Sequence, residues 1–354
     1  MRPAAIACAC LGLACAREPA PRPVHVQAPP AASSAIAAVE LVPSPVPVAP
    51  GPGPVAPIAA TSEPASPPAS PAAVEPALPV APDGTRALPC RTPPAGLACV
   101  PGGPFLRGSD DGPENTRPRA TVWLQTFYMD THEVTHAEYK ACEARGACAP
   151  AGPRYNDYDR PRQPIVGVSW HDAVAYCAAH GKHLPSEAQW EKAARGPDGA
   201  LYPWGDDKAT CARAVIKEKR RRSCGVAKLG ERPDKGRTFE VGARPPGVYG
   251  LYDMSGNAWE WVADWASESY ARCGAACEGV DPLGPCGGAS PCKRHHERVV
   301  RGGSWYWEAE YATAIHRRPH VASNRPYHHY GFRCAASDAE LAALPGGAPL
   351  PAVQ

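Results

Sequence analysis

The chain has 354 residues, and 37 Lys and Arg against 35 Asp and Glu give it a formal net charge of +2. A charge so close to balance excludes a broad electrostatic attraction to nucleic acid or to an acidic membrane. The length allows one large domain or two ordinary ones. All nine Trp lie at or beyond Trp123, which favours one folded domain behind a tail.

Residues 1–15 are a predicted signal peptide, because Arg2 is followed by an apolar run too short to cross a bilayer as a helix. The run ends in LGLAC at 11–15, which resembles a bacterial lipobox, with Gly12 where that motif usually has Leu. Cys15 would then be lipidated. Simple secretion is the alternative. The expected location is extracytoplasmic, as a membrane-anchored lipoprotein of a bacterial periplasm or outer membrane.

Residues 16–87 are predicted to be a disordered, Pro- and Ala-rich linker. Their repeated Pro-Val, Ala-Pro and Ser-Pro pairs favour polyproline II and remove backbone donors, so neither helix nor sheet propagates. Such a stretch, at about 3 Å per residue, would hold a domain away from a membrane surface. The folded domain is expected at 88–336 and a flexible tail at 337–354.

Cysteine usage points to an oxidising compartment, because fifteen Cys are too many for an ordinary enzyme of a reducing one. Three belong to the leader, and the other twelve form an even set compatible with disulfides. The twelve are Cys90, Cys99, Cys142, Cys148, Cys177, Cys211, Cys224, Cys273, Cys277, Cys286, Cys292 and Cys334. The four at 273–292 fit either an insertion held by two disulfides or a zinc site, and an exported chain favours disulfides.

Three segments have helical spacing, at 132–145, 170–180 and 185–195. Thr135 can cap the first with Glu138 three residues on, and Ser169 can cap the second, which Gly181 would end. At Trp259, Glu260 and Trp261 the alternation predicts a strand with both rings on one face. The rest consists of short apolar runs broken by Gly and Pro.

Six ordered blocks of motifs carry a resemblance to a known family. They are FYMD at 127–130 with EVT at 133–135, PIVGVSW at 164–170, GKHLPSEAQWE at 181–191, YPWG at 202–205, GLYDMSGNAWEW at 250–261, and RGGSW at 301–305 with GFRC at 331–334. Together they resemble the formylglycine-generating enzymes, or sulfatase-modifying factors. The resemblance implies an α+β fold, the family's loop-rich variant of the C-type-lectin-like fold.

The same resemblance implies where oxidase chemistry would lie. Aerobic members of the family hold copper(I) between two thiolates, and the matching positions here are Trp307 and Ala312. Neither is a thiolate, and no Cys occurs between Cys292 and Cys334. Copper is therefore not expected, and no catalytic residue is assigned. Cys177 and Cys334 match the family's structural disulfide.

A calcium site is also implied by the resemblance. Asp253 and Glu260 would supply carboxylates, and Gly256 and Ala258 backbone carbonyls, which are the hard donors that Ca²⁺ prefers. The alternative is that Asp253 caps a turn and Glu260 pairs with an Arg.

Two further motifs leave alternatives open. The histidines at 316, 320, 328 and 329 could form a substitute metal site, since His316 and His320 are four residues apart, although nothing predicts a helix there. The alternative to a metal site, for His328 and His329 as for the other two, is that the side chains are exposed or have hydrogen-bond partners in the core. The basic run at 217–222 could bind an anion or form a solvated insertion loop.

Two functions remain compatible with these residues. The first is an exported, non-oxidising binding or scaffold module whose partner is a protein, a peptide or a small ligand, with no nucleic acid and a membrane contact through the lipid anchor. The second is an oxidase or another metal-dependent enzyme that acts on cysteine or a peptide substrate.

Overall fold

The computed structural model describes residues 77–155, 157–227, 236–323 and 328–344, so the leader with Cys15 and most of the predicted linker lie outside the described residues. The strands are β1 (Leu97–Val100), β2 (Gly103–Arg107), β3 (Ala120–Leu124), β4 (Phe127–Asp130), β5 (Trp259–Trp265), β6 (Glu297–Arg301), β7 (Arg318–Val321), β8 (Tyr330–Gly331) and β9 (Ala335–Ser337). The helices are α1 (His136–Ala144), α2 (Trp170–Ala179), α3 (Glu187–Arg195), α4 (Tyr270–Cys273) and α5 (Asp338–Ala343). No helix within these ranges is long and apolar enough to span a membrane.

The three predicted helices are present, and each begins at a capping box. Thr135 and Glu138 cap α1, and the predicted Ser169 caps α2. Helix α1 begins four residues later than predicted. The backbone of Val134 is already engaged on both sides, because its N–H donates to Phe332 O and its carbonyl accepts from the N–H of Ile165.

Three small antiparallel or mixed sheets form the β part, in the orders β1-β4-β9, β2-β3 and β7-β6-β5-β8. Strand β5 is the centre of the largest sheet, since it pairs antiparallel with β6 and parallel with β8. Its alternation is as predicted: Trp259 and Trp261 pack in the core beside α1 and α2, whereas Glu260 accepts a hydrogen bond from Trp190 of α3.

The ordered body extends beyond the predicted domain on both sides. Ala81 and Ala87, assigned to the linker, are buried against Trp123, and Ala87 N donates to Pro79 O. At the other end α5 begins with a Ser337 cap and buries Leu341. The Pro- and Ala-rich composition hides the first segment, because its order comes from packing on the Trp123 ring. The second segment depends on one capping box at Ser337.

Six disulfides take up all twelve cysteines that the structure describes. They join Cys90 to Cys99, Cys142 to Cys148, Cys177 to Cys334, Cys211 to Cys224, Cys273 to Cys277 and Cys286 to Cys292. The last two confirm the disulfide interpretation of the cluster at 273–292. The Cys177 bond links α2 to the chain just before β9 across 157 residues.

A buried ionic cluster fastens α3 to the sheet. Arg301 of β6 donates to Glu187 (2.8 Å) and Glu191 (2.9 Å), and Arg317 donates to both carboxylate oxygens of Glu187 (2.7 Å each). Burial alone would raise the pKa of Glu187, but Arg317 and Arg301 hold it below its usual value. Tyr270 completes the cluster with a bond to Glu191.

Asp264 on β5 is a second buried carboxyl beside this cluster. Its Oδ2 accepts a hydrogen bond from Glu187 N (2.6 Å), and only 3% of the residue is exposed. Burial, followed by repulsion from Glu187, raises the pKa of Asp264 to about 7. The folded state therefore holds a proton on Asp264 that the unfolded chain releases at lower pH.

This raised pKa predicts a pH-dependent stability. Because the folded protein binds more protons than the unfolded one between the ordinary value of 3.8 and about 7, stability falls as the pH rises through that window. The Asp264 contribution is about 4 kcal/mol at 1.36 kcal/mol per pH unit. When the free energy of urea unfolding is measured at pH 4 and at pH 7, it is expected to fall less for Asp264→Asn than for the wild type, by about 4 kcal/mol. The exposed Asp111→Asn is the control, and parallel curves for Asp264→Asn and wild type would contradict the assignment.

Candidate functional site

The loop from 302 to 316 carries the candidate site, and its shape starts at a glycine turn after β6. Gly302 and Gly303 have φ of +90° and +77°. A Cβ on Gly303 would lie 2.7 Å from Tyr311 O and 2.8 Å from Ala312 Cα, so only glycine lets the two halves of the loop approach. Trp305 then enters the core, and its backbone N–H donates a hydrogen bond to Asn257 O.

Five half-buried side chains of this loop and the start of β7 form one surface, here called the aromatic patch: Tyr306, Trp307, Tyr311, His316 and Arg318. The ring centroids of Trp307 lie 5.4 Å from Tyr306 and 5.0 Å from Tyr311, and Tyr311 lies 5.1 Å from His316. The Arg318 guanidinium carbon is 5.0 Å from the Trp307 ring. Each of these rings therefore contacts a neighbour and keeps part of its surface exposed.

The two positions that match the copper-binding thiolates both lie here. Trp307 is part of the patch, whereas Ala312 is buried beneath it, where its carbonyl accepts a hydrogen bond from Ser255 Oγ (2.8 Å). Every described cysteine is in a disulfide. Among the described residues, then, no thiolate is available to a soft metal ion.

The four histidines surround the patch but do not converge. His316 precedes β7 and His320 lies on it, so the helical spacing does not apply. His320 packs on Trp261 and Tyr330, while His328 and His329 contact Trp305 and Tyr306. In the described ranges, no group of three or more His, Cys, Asp or Glu could hold a metal.

Burial keeps two of these imidazoles neutral. Desolvation, aided by Arg301 and Arg318, lowers the pKa of His316 to about 4. Desolvation together with the charges of His328, Arg318 and His320 lowers that of His329 to about 3.

Arg318, like Tyr306 and Tyr311, is a residue of the patch that the sequence did not single out. On β7 it pairs with Val300, and its guanidinium lies between the Trp307 and Trp259 rings. Its Nε is buried without a hydrogen-bond acceptor, and no carboxylate of the described chain forms an ion pair with it. The only sequence signal was an Arg pair between histidines, which patterns alone do not distinguish from a solvated basic stretch.

The predicted calcium ligands lie in a second, fully buried cluster. Glu260 is bound through both oxygens by Arg333 (2.7 Å each), and Trp190 Nε1 also donates to it (2.8 Å). This is the arginine pairing that the sequence left open as the alternative. Gly256 N donates to Gly302 O, and Ala258 N to Glu133 Oε1.

Asp253 and Glu133 differ from Glu260 because neither forms a described ion pair. Asp253 has φ +55°, its Oδ2 accepts from Gly242 N (2.6 Å), and its Oδ1 has no described partner. Burial raises the pKa of Asp253 to about 6. Burial, with repulsion from Asp253 and Glu260, raises that of Glu133 well above its ordinary value. Sequence patterns did not identify Glu133 as part of this cluster.

Comparison with known proteins agrees with the motifs. Residues 86–338 match the sulfatase-modifying factor enzyme 1-like domain. The formylglycine-generating enzyme of Thermomonospora curvata is 32% identical over 298 residues, 68% of this chain and 93% of that enzyme. The inactive C-alpha-formylglycine-generating enzyme 2 of Mus musculus is 30% identical over 67% of this chain and 84% of its own.

The fold has counterparts among solved structures. PvdO from Pseudomonas aeruginosa superimposes with a TM-score of 0.55 and 25% identity, covering 70% of this chain and all of that one. The α+β architecture, poor in long helices and strands, is that of the formylglycine-generating enzymes and of the C-type-lectin-like fold. The chain thus belongs to the formylglycine-generating enzyme, or sulfatase-modifying factor, family.

Proposed function

We propose that this protein is an exported, non-oxidising binding module whose ligand contacts the aromatic patch. The observation that carries the proposal is the replacement of the copper pair by Trp307 and Ala312 in a domain whose described cysteines are all in disulfides. With these two residues the copper-dependent oxidation would have no metal ligands, while half-buried aromatic rings lie in the same loop. Aromatic side chains of this kind dominate the energetics of recognition surfaces.

The alternative of a substituted metal enzyme has less support. His316 and His329 are neutral near pH 7 and in that state suit a metal, but their rings pack on different neighbours, Tyr311 and Tyr306. A catalytic zinc or iron site uses about three protein ligands at one point. The mouse relative whose name records inactivity shows that the family includes proteins without the oxidase reaction.

Export and anchoring rest on the leader and on the disulfides. The LGLAC stretch with Cys15 supports a lipid anchor. The long Pro-rich tether would let the folded domain lie away from the membrane surface. Six disulfides in the described residues suit an oxidising compartment.

We also propose a structural Ca²⁺ held at Asp253 with Glu133, rather than at Glu260. Arg333 is near three buried carboxyls but donates to Glu260 alone, so a divalent cation held by Asp253 and Glu133 would balance the charge of the other two. Asp253 Oδ1 supplies a buried oxygen without a described partner, whereas both oxygens of Glu260 are occupied. The ion would fix the loop before β5.

Calcium is accordingly expected to raise the melting temperature relative to EDTA, since an ion bound by the native state alone stabilises it by about 2.7 kcal/mol at a hundredfold excess over Kd. Asp253→Asn should abolish the shift. Glu260→Gln should destabilise by about 3 to 5 kcal/mol in both buffers, through the unpaired Arg333, and keep the shift. Identical melting curves with calcium and EDTA, for protein first shown to be metal-free, would refute the site.

The absence of oxidase chemistry has a direct test. Purified protein, with copper(I) and oxygen, is expected to leave a cysteine-containing sulfatase peptide unchanged by mass spectrometry, because Trp307 and Ala312 cannot coordinate the ion. The Thermomonospora relative serves as the positive control. Conversion of the cysteine to an aldehyde, with the corresponding mass loss, would overturn the non-oxidising assignment.

Binding at the patch is tested separately with a phage-displayed library of random dodecapeptides. Selection on the full chain is expected to enrich sequences that are lost on the Trp307→Ala variant, since that change removes the central ring. Tyr155→Ala, at an exposed ring outside the defined patch, is the matched control. Enrichment that is absent, or equal on the Trp307 variant, would contradict the proposed module.

A further inference from the structure

We propose that the aromatic patch binds an acidic peptide segment, with Arg318 as the cation that receives its carboxylate. The inference rests on the proposed binding function and adds the class of ligand. It joins two features that the function did not absorb: an arginine without a described carboxylate partner, and the basic run at 217–222.

Arg318 differs from the three arginines that bind the buried carboxylates, and it is less buried than Arg107 and Arg298, which also lack a described ion pair. Arg301, Arg317 and Arg333 each donate to a buried carboxylate at 2.7 to 2.9 Å. Arg318 is half-buried, its Nε lacks an acceptor, and within the described chain no Asp or Glu lies in ion-pair range of it. A guanidinium is a strong and rigid donor, so the exposed part of the half-buried Arg318 side chain would donate to an anion brought to the patch.

Among the residues that the structure describes, the surroundings of Arg318 add no opposing charge. His316 is neutral near pH 7, because its burial and the nearby arginines lower its pKa to about 4. The two carboxylates on the adjacent turn already form ion pairs at the edge of the patch: Glu308 with Lys217, and Glu310 with Lys208. The patch therefore presents a net positive centre among apolar rings.

The basic run borders the same surface. Lys217 N donates to Trp307 O (2.8 Å), and the Arg222 guanidinium stacks 3.6 Å from the Tyr306 ring centroid. Lys219, Arg220 and Arg221 are exposed beyond them. The cations thus continue from Arg318 at one side of the patch to the run at the other, which matches a chain with several acidic groups rather than a single small anion.

The rings define the rest of the ligand. Tyr306, Trp307 and Tyr311 offer apolar faces between the cations, so aromatic or aliphatic residues interleaved with Asp or Glu would fit. A free dicarboxylate would use the charge but leave the rings uncovered. Charge complementarity of this kind sets specificity between similar peptides.

Three fluorescein-labelled synthetic peptides test the inference by anisotropy with the full chain in 0.15 M salt: GDEFDEFDG, its amide counterpart GNQFNQFNG and the basic GKRFKRFKG. The acidic peptide is expected to bind at least tenfold more tightly than the amide one, and the basic peptide not at all. Arg318→Gln should weaken the acidic peptide at least tenfold, and Arg318→Lys should restore part of the loss. Arg119→Gln, at an exposed arginine beside Asp110, is the control for net charge.

Each outcome decides a different point. Equal binding of the acidic and amide peptides, with no effect of Arg318→Gln, overturns the charge preference and leaves the binding module standing. If free succinate displaces the labelled acidic peptide as effectively as the unlabelled acidic peptide does, a peptide is not the preferred ligand and the proposal is overturned. If none of the three peptides binds, the acidic-peptide proposal fails, while enrichment of Trp307-dependent library sequences still supports the module. Equal loss in Arg318→Gln and Arg318→Lys, with lowered melting temperatures, assigns Arg318 a structural role and refutes its role as receptor of the carboxylate.

Discussion

One carboxylate, that of Glu187, holds both ends of the loop that carries the aromatic patch. Arg301 precedes the loop and Arg317 follows it, and both donate to Glu187 within 2.8 Å. Arg301 also bonds Ala314 O inside the loop (2.6 Å). A loop of irregular backbone is thereby closed at its base by buried ion pairs, whose removal on one side leaves an uncompensated charge. That closure fixes the two ends of the loop between which the rings of the patch lie.

This arrangement separates the shape of the loop from the chemistry of the side chains that it carries. The two positions that the family resemblance assigns to copper-binding thiolates lie in this loop, but the loop itself is shaped by Gly303, Glu187 and the arginines. Under the proposed function, Trp307 and Ala312 at those two positions change the chemistry, while the contacts that shape the loop are present. Function in such folds resides in the side chains displayed by the loop rather than in the fold.

Much of the framework could be predicted from the sequence, because its signals are local. Caps such as Thr135 with Glu138 and the alternation at Trp259 to Trp261 act within a few residues of chain. The site was less accessible. That Glu260 would meet Arg333, 73 residues away, and that Arg318 would meet no acid in the described chain, depend on long-range packing. The order of Ala81 and Ala87 likewise depends on Trp123, which composition does not reveal.

The adjacency of Arg317 and Arg318 ties recognition to the register of one strand. Successive residues in extended chain point to opposite sides, so Arg317 reaches inward to Glu187 while Arg318 faces the rings. A slip of β7 by one residue against β6 would exchange the two: the inner cation would lose its carboxylate and the outer one would enter the core. Misregistered molecules would be unstable as well as unable to bind. The pairing that selects the native strand alignment therefore also determines which arginine a folded molecule presents on the aromatic patch, where the ligand is proposed to bind.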